Sequence, residues 1–135
     1  MTAANTAYTA KLADAVCALG YPALDAAAVA AVKRLIADGI AVAVAGTAEA
    51  APQIVAAQLR EAGARAEATV WGAGLRTAAS SAAYANAVAM HVLDFEPMSS
   101  PPTHAVSPVV PAALALAEAR GASGRDGIAA CAKGF

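Results

Sequence analysis

Charged and aromatic residues are both scarce in this chain of 135 residues. Charged side chains make up 14% of the sequence and aromatic ones 4%, and nine basic residues face ten acidic ones without forming a basic cluster. A nucleic-acid-binding surface needs such a cluster, so the sequence predicts no nucleic-acid partner. Strands favour aromatic and β-branched residues, and the latter are here mostly valines inside alanine-rich stretches. An all-β fold is therefore a poor interpretation.

Long uninterrupted apolar runs are also missing, although the mean hydropathy is +0.55. A membrane-spanning helix needs about 20 consecutive apolar residues, and the best candidate, 26–46, contains Lys33, Arg34 and Asp38. Lys11 and Asp14 fall where the apolar part of a secretory signal would run. These observations predict a soluble protein without a membrane partner.

Cysteine is rare as well. Cys17 and Cys131 are far apart in sequence, and each falls in a helical pattern. Such a pair is more typical of buried thiols in a reducing compartment than of a disulfide framework. The sequence therefore predicts a cytoplasmic protein with two buried thiols.

Alanine, by contrast, accounts for about a third of the chain. It is the best helix former, because its side chain has no rotamer entropy to lose. Together with apolar residues at helical spacing, it predicts an all-α fold, a helical bundle with a short extended piece near 66–71. The predicted helices span 8–19, 26–45, 49–62, 77–93, 107–120 and 125–135.

Several residues mark where these helices begin, end or meet. Asp25 is a typical N-cap and Gly46 a typical stop. Gly39, inside a helix, indicates a close contact with another helix. Alanines spaced along 78–89 give the fourth helix a face of small residues, so we expect it to lie deep in the bundle.

The segment 94–104 cannot be helical, because it contains Pro97, Pro101 and Pro102, which lack a backbone N–H and restrict the residues before them. The next helix is expected to begin at Ser107 and Pro108, since serine is a good N-cap and proline suits the first helical position.

This segment brings together most of the residues that could do chemistry. His91, Asp94, Glu96 and His104 lie within fourteen positions. From spacing alone three interpretations stand. A structural capping pair is the commonest, a catalytic Asp–His pair is less common, and a zinc site built from His91, Asp94 and His104 is the least common.

Two stretches around this segment resemble the MmgE/PrpD family. Residues 85–95 read Ala-Asn-Ala-Val-Ala-Met-His-Val-Leu-Asp-Phe, and residues 102–112 read Pro-Thr-His-Ala-Val-Ser-Pro-Val-Val-Pro-Ala. They are similar to the family's helix ending in an alanine-histidine-x-leucine-aspartate-phenylalanine pattern and to its proline-threonine-histidine motif. Weaker similarities at 31–39 and 121–125 follow in the same order, so the resemblance covers nearly the whole chain.

The resemblance implies an architecture and a partnership. Members of the family include 2-methylcitrate dehydratase, cis-aconitate decarboxylase and iminodisuccinate epimerase. They combine a large all-helical domain with a smaller α/β lid domain, usually as homodimers through the helical domain, and use neither a metal nor an organic cofactor. Family chains are over three times as long, so residues 1–135 are expected to be the incomplete N-terminal portion of a single all-helical domain, without the lid.

The resemblance also implies site residues. The family's aspartate and histidine correspond to Asp94 and His104, the expected catalytic pair. The loop would line the pocket, so Thr103, Met98 and Ser107 are assigned to substrate binding. The family's commonest form reads Asp-Phe-Asp-Asp-Thr, followed by an aromatic residue. Here 96–98 read Glu-Pro-Met and position 99 is serine, which leaves the exact substrate open.

These residue types suit the family's chemistry. A proton must move on a carbon beside a carboxylate, or reach the carbanion left when CO₂ departs. Histidine titrates near neutrality, and a neighbouring carboxylate can orient its ring. No lysine or arginine occurs in 89–111. The amides at the N-terminus of the following helix could therefore hold part of a polycarboxylate.

The implied function is a cofactor-independent lyase, a dehydratase or decarboxylase, acting on a small di- or tricarboxylate. An epimerase of the iminodisuccinate type and a truncated, non-catalytic helical module remain the alternatives.

Overall fold

The computed structural model describes residues 3–135, with side chains from residue 7 onward, and helix dominates these residues. About 68% of the chain is helical. The six helices of the described residues are α1 (Ala3–Ala18), α2 (Ala26–Gly46), α3 (Ala50–Ala62), α4 (Ala79–His91), α5 (Val106–Arg120) and α6 (Gly124–Gly134), with a 3₁₀ turn at Tyr21–Ala23. The predicted all-α class is confirmed. None of the helices in this part of the chain is both long and apolar enough to cross a bilayer.

Most helix ends follow the local signals in the sequence. The Asp25 carboxylate accepts a hydrogen bond from the Ala28 N–H at 2.7 Å and caps α2, as predicted. Ser123 and Asp126 form a capping box at the start of α6. Gly121 takes a left-handed conformation, with φ of 61°, where α5 ends.

One short antiparallel hairpin interrupts the helices. Strands β1 (Ala68–Val70) and β2 (Leu75–Thr77) pair Ala68 with Thr77, and Gly72 and Gly74 adopt positive φ angles in the turn between them. The extended piece was predicted, but its partner strand was not. The expected start of the fourth helix at Thr77 is wrong, because Thr77 is a buried strand residue paired across the hairpin.

Helix α4 lies at the centre of the molecule and packs against α2, α3, α5 and β1. Its alanines Ala82, Ala85 and Ala89 are buried, as the small-residue face predicted. The side chain of Asn86, also buried, accepts from the Trp71 N–H at 2.8 Å and donates to the Thr69 carbonyl at 2.9 Å. These two bonds attach the hairpin to α4, because they satisfy backbone groups that the two-stranded sheet leaves open.

Close approach of α2 to its neighbours depends on two glycines. A Cβ atom at Gly39 would lie 2.8 Å from Val106 Cγ1, and one at Gly46 would lie 2.0 Å from the Ala89 carbonyl oxygen. Contacts this short are not tolerated, so α2 can cross α4 and α5 only where side chains are missing. The predicted close contact at Gly39 is confirmed.

Helix α1 differs from the others, because its apolar residues are exposed. Tyr8, Leu12 and Val16 lie one turn apart, yet Tyr8 is 72% and Leu12 67% exposed. The predicted helix is present, but its apolar stripe covers none of the core formed by the described residues. Cys17 is exposed on the same helix, so its predicted burial is wrong, whereas Cys131 is fully buried as predicted.

Candidate active site

The candidate site lies where α4 ends and α5 begins. Asp94 turns the chain away from α4 in a left-handed conformation, with φ of 55°, and its N–H donates to the His91 carbonyl at 2.9 Å. Aspartate is one of the few residues other than glycine that tolerate this conformation. The chain returns through the proline-containing loop to His104, just before α5. The two histidines are therefore brought together from opposite ends of the loop.

The structure places the predicted pair in proximity. Nε2 of His104 lies 3.5 Å from Oδ1 of Asp94. The Asp94 side chain is 76% exposed and that of His104 31%. Asp94 thus approaches the ring from the solvent side, which is compatible with a role in contact with a bound molecule.

Glu96, which the sequence analysis assigned no role, is the buried centre of the site. Its side chain is fully buried. Oε2 accepts the backbone N–H of Ser107 at 2.6 Å, and Oε1 lies 2.7 Å from Nδ1 of His91 and 3.4 Å from Nδ1 of His104. Burial alone would raise the pKa of the Glu96 carboxyl group, but the hydrogen bonds from Ser107 and His91 outweigh it and hold the pKa below its usual value.

The position of Glu96 explains why the predicted start of α5 is wrong. Ser107 was expected to cap the helix, but α5 begins at Val106 after Ala105, which has no side chain able to cap. The Glu96 carboxylate takes the place of a cap by accepting the Ser107 N–H from across the loop. A local signal could have suggested Glu96, because it is the one acidic residue between the two histidines other than Asp94.

The two histidine rings meet edge to face beside an open cleft. Their centroids are 4.9 Å apart with an interplanar angle of 79°. Both rings line the cleft together with Ser107 and an apolar wall formed by Tyr84, Ala87, Val88 and Pro108. None of these lining residues is a lysine or an arginine.

The three predicted substrate-binding residues occupy different places. Ser107 is buried and lines the cleft. Met98 is exposed on the loop, outside the lining of the cleft. The Thr103 carbonyl accepts hydrogen bonds from the Ser99 N–H at 3.1 Å and the Ser99 hydroxyl at 3.3 Å, so Thr103 holds the loop together through its backbone. Substrate binding by these residues stays a prediction.

The same cluster contains a possible set of metal ligands that differs from the one weighed from the sequence. Within the described residues, His91, Glu96 and His104 offer donor atoms that all lie within 4.8 Å of one another, and Glu96 takes the place of Asp94. Two ligands on a tetrahedral zinc ion would stand about 3.3 Å apart. The 2.7 Å between Nδ1 of His91 and Oε1 of Glu96 is a hydrogen-bond distance instead. The geometry is that of a hydrogen-bonded network, which would have to open to accept an ion.

Comparison with known families agrees with this arrangement of helices and loop. Residues 10–135 match the model of the MmgE/PrpD N-terminal domain. The match covers nearly the whole chain, and the protein therefore belongs to the MmgE/PrpD family. No curated protein matches the chain.

Proposed function

We propose that this protein is a lyase that needs no cofactor and acts on a small di- or tricarboxylate. The observation that carries the proposal is the placement of His104 between two carboxylates beside an open cleft, in a chain of the MmgE/PrpD family. In this proposal residues 1–135 are the N-terminal portion of a single helical domain. The whole protein is a cytoplasmic homodimer formed through that domain.

In the proposed dehydration, His104 takes a proton from a carbon beside a substrate carboxylate, a C=C bond forms, and the hydroxyl group on the neighbouring carbon leaves with a proton from solvent as water. In the proposed decarboxylation, the C–C bond to the departing carboxylate breaks to release CO₂, and protonated His104 gives the carbanion a proton that solvent replaces. Asp94 lies 3.5 Å from Nε2 of the same ring and stabilises the ring when it is charged. Proton transfer by one side chain contributes about 10²–10⁴-fold to a rate. Positioning and electrostatic stabilisation must supply the rest.

A polycarboxylate requires cationic partners, and no lysine or arginine lines the cleft. The N-terminus of α5 lies beside His104, but the Glu96 carboxylate already accepts the Ser107 N–H and Pro108 has none, so the partial positive charge of this helix supplies only a minor part. The remaining cationic contacts are assigned to residues outside this cleft. Thr103, Met98 and Ser107 stay as proposed contacts of the substrate through the loop and the helix start.

The arrangement favours a lyase over an epimerase. A two-base epimerase removes a proton from one face of a carbon atom and adds one to the opposite face. Here His91 and His104 lie side by side, with ring centroids 4.9 Å apart, so they do not face each other across the cleft. An epimerase would need its second base from elsewhere in the protein.

The test uses the complete open reading frame that contains this chain. The purified protein is assayed with cis-aconitate, 2-methylcitrate and iminodisuccinate, with and without a chelator, next to the separate 135-residue chain. We expect turnover of a tricarboxylate by the complete protein, unchanged by the chelator, and none by the short chain. His104→Ala and Asp94→Asn should each lower kcat by about 10²–10⁴-fold.

Four results would contradict the proposal. Full activity in His104→Ala would remove that residue from the mechanism. Sensitivity to the chelator would favour a metal at His91, Glu96 and His104. Turnover of iminodisuccinate alone would favour the epimerase, and absence of turnover with every substrate would favour the non-catalytic module.

A further inference from the structure

The most informative feature outside the predicted pair is a single buried carboxylate shared by two histidines. Oε1 of Glu96 lies 2.7 Å from Nδ1 of His91 and 3.4 Å from Nδ1 of His104. Its other oxygen is held by the Ser107 N–H at 2.6 Å. Both rings therefore turn the same nitrogen toward the same oxygen atom.

The direction of the hydrogen bonds follows from which groups can donate. A backbone N–H can only donate, so Ser107 fixes Oε2 of Glu96 as an acceptor. An ionised carboxylate has no proton of its own, so Nδ1 of His91 must carry the proton in the 2.7 Å bond. The Nε2 atom of a neutral His91 is then free of a proton.

The same argument extends to His104. Its Nδ1 atom is buried and makes no hydrogen bond of good geometry within residues 3–135. A carboxylate oxygen lies near each ring nitrogen, Oε1 of Glu96 at 3.4 Å from Nδ1 and Oδ1 of Asp94 at 3.5 Å from Nε2, and each would attract an N–H. The Glu96 carboxylate is fully buried whereas that of Asp94 is 76% exposed, so solvent screens the attraction at Nε2 and leaves the attraction at Nδ1 the stronger one. A proton at Nδ1 is therefore the favoured arrangement, and it leaves the lone pair at Nε2, the atom beside Asp94.

We propose that Glu96 is a positioning residue that sets the same tautomer in both histidines, with the proton on Nδ1. This leaves Nε2 of His104 as the atom that accepts the proton, and it offers Nε2 of His91 as a second acceptor in the same cleft. The tautomer assignment stands on the geometry alone. Its consequence for catalysis rests on the proposed function.

A purely structural role for Glu96 must be separated from this one, since Glu96 also caps α5. Glu96→Gln makes the separation, because the amide oxygen can still accept the Ser107 N–H. The amide nitrogen then faces the histidines, and it can only donate. This amide N–H needs an Nδ1 atom without a proton as its acceptor. The substitution should therefore keep the cap of α5 and move the ring proton from Nδ1 to Nε2.

The experiment records the imidazole nitrogen signals of the ¹⁵N-labelled 135-residue chain by NMR, at about pH 9, where an ordinary imidazole is neutral. We expect the N–H at Nδ1 in both histidines of the wild type and at Nε2 in Glu96→Gln. Glu118→Gln is the matched control. Glu118 also accepts a backbone N–H, that of Thr69 at 2.8 Å, but lies about 16 Å from Ser107 along α5. It should leave both tautomers unchanged.

The wild-type spectrum tests the proposal even if Glu96→Gln does not fold, because an N–H at Nε2 of His104 in the wild type would overturn it. Unchanged tautomers in a folded Glu96→Gln would do the same. In the complete protein, the wrong tautomer should lower kcat by about 10²–10⁴-fold with little change in KM. Reversed tautomers with an unchanged kcat would overturn the positioning role. An inactive wild type would instead contradict the proposed function. The NMR spectra would still decide whether Glu96 places the ring protons on Nδ1.

Discussion

Each end of α5 has a glutamate that accepts a backbone N–H, but Glu96 comes from the loop and caps the helix, whereas Glu118 belongs to the helix and binds the hairpin. At the N-terminal end, Glu96 accepts the Ser107 N–H at 2.6 Å, and at the C-terminal end Glu118 accepts the Thr69 N–H at 2.8 Å. Hydrogen bonds from Thr69, with Arg76 alongside, lower the pKa of Glu118, and the pKa of Glu96 is lowered as well. A carboxylate with a lowered pKa therefore marks both ends equally.

The partners of the two carboxylates decide what each end can do. Glu118 pairs with Arg76, which keeps its charge at any physiological pH. Glu96 lies against two histidines, a residue type that can act as a proton donor and acceptor. The C-terminal end holds the hairpin against α5, whereas the proposed function assigns proton transfer to the N-terminal end.

The packing beneath the two ends also differs. The N-terminal half of α5 contributes Val106 and Val110 to a cluster that includes Val32, Met90 and Cys131. The C-terminal half contributes Ala115 to a second cluster of mostly small residues from the hairpin and α4. The candidate site therefore stands on the cluster with the larger side chains.

The largest effect is expected from Gly46→Ala, which disrupts the packing below the N-terminal end of α5. The new Cβ would lie 2.0 Å from the Ala89 carbonyl oxygen, and backbone cannot move aside cheaply. We expect the free energy of unfolding to fall by about 3 kcal/mol, measured by urea denaturation. Gly124→Ala is the control, since no atom lies within 4 Å of its Cβ position. Equal stability of the two variants would show that α2 and α4 do not approach so closely.

A smaller effect is expected at the C-terminal end from Glu118→Ala. The substitution removes the acceptor of the Thr69 N–H and hydroxyl and the partner of Arg76. Because this network is partly exposed, the free energy of unfolding should fall by only about 1 kcal/mol. Activity of the complete protein should not change. Glu61→Ala, on an exposed face of α3, serves as the control, and a comparable loss there would mean that the Glu118 network contributes nothing specific.

The dependence of the free energy of unfolding on pH, in the acid range, allows the Glu96 and Glu118 carboxylates to be compared directly. Both have a folded-state pKa below the ordinary value of 4.5, so their stabilisation is complete above that pH. It is lost as the pH falls through the lower folded values. Glu96→Gln and Glu118→Gln should each make the fall in unfolding free energy between about pH 5 and 3 shallower than in the wild type. If the slope in either variant equals that of the wild type, the carboxylate at that position does not contribute to the loss of stability at acid pH.

The smallest effect concerns the two cysteines and should leave stability unchanged. Burial raises the pKa of the Cys131 thiol to about 11, whereas Cys17 is exposed on α1. Since the thiolate is the reactive form, a thiol reagent at neutral pH should label Cys17 and spare Cys131, as measured by mass spectrometry. Cys17→Ser should then take up no label until the protein is unfolded. Rapid labelling of Cys131 in the folded chain would show that the cluster under the N-terminal end opens readily.

Much of the fold could be predicted because the responsible interactions are local. Alanine content and caps such as Asp25 act within a few residues, so the helices were found close to their observed ends. The hairpin strand β2 was missed, because Leu75–Thr77 is extended only through pairing with β1 and through the attachment of the hairpin to Asn86 on α4. The exposure of Cys17 was missed for a similar reason, since a helical pattern does not reveal whether anything covers its apolar face.

In the candidate site, too, some residues could be predicted from the sequence and one could be recognised only in the structure. The motif by itself singled out Asp94 and His104, and the prolines between them showed that the chain must turn there. Glu96 stands out in the sequence only as the second acidic residue between the two histidines. Its role comes from the distances of its two oxygens to His91, His104 and the Ser107 amide, which spacing along the chain does not give.

The sequence by itself determined the helical class, the family and the position of the loop, because propensity, capping and proline geometry act over short separations along the chain. Only the tertiary structure decided which carboxylate lies between the two histidines. Oxygens that are equivalent in an extended chain become different once one is held by a helix amide and the other faces two imidazole rings.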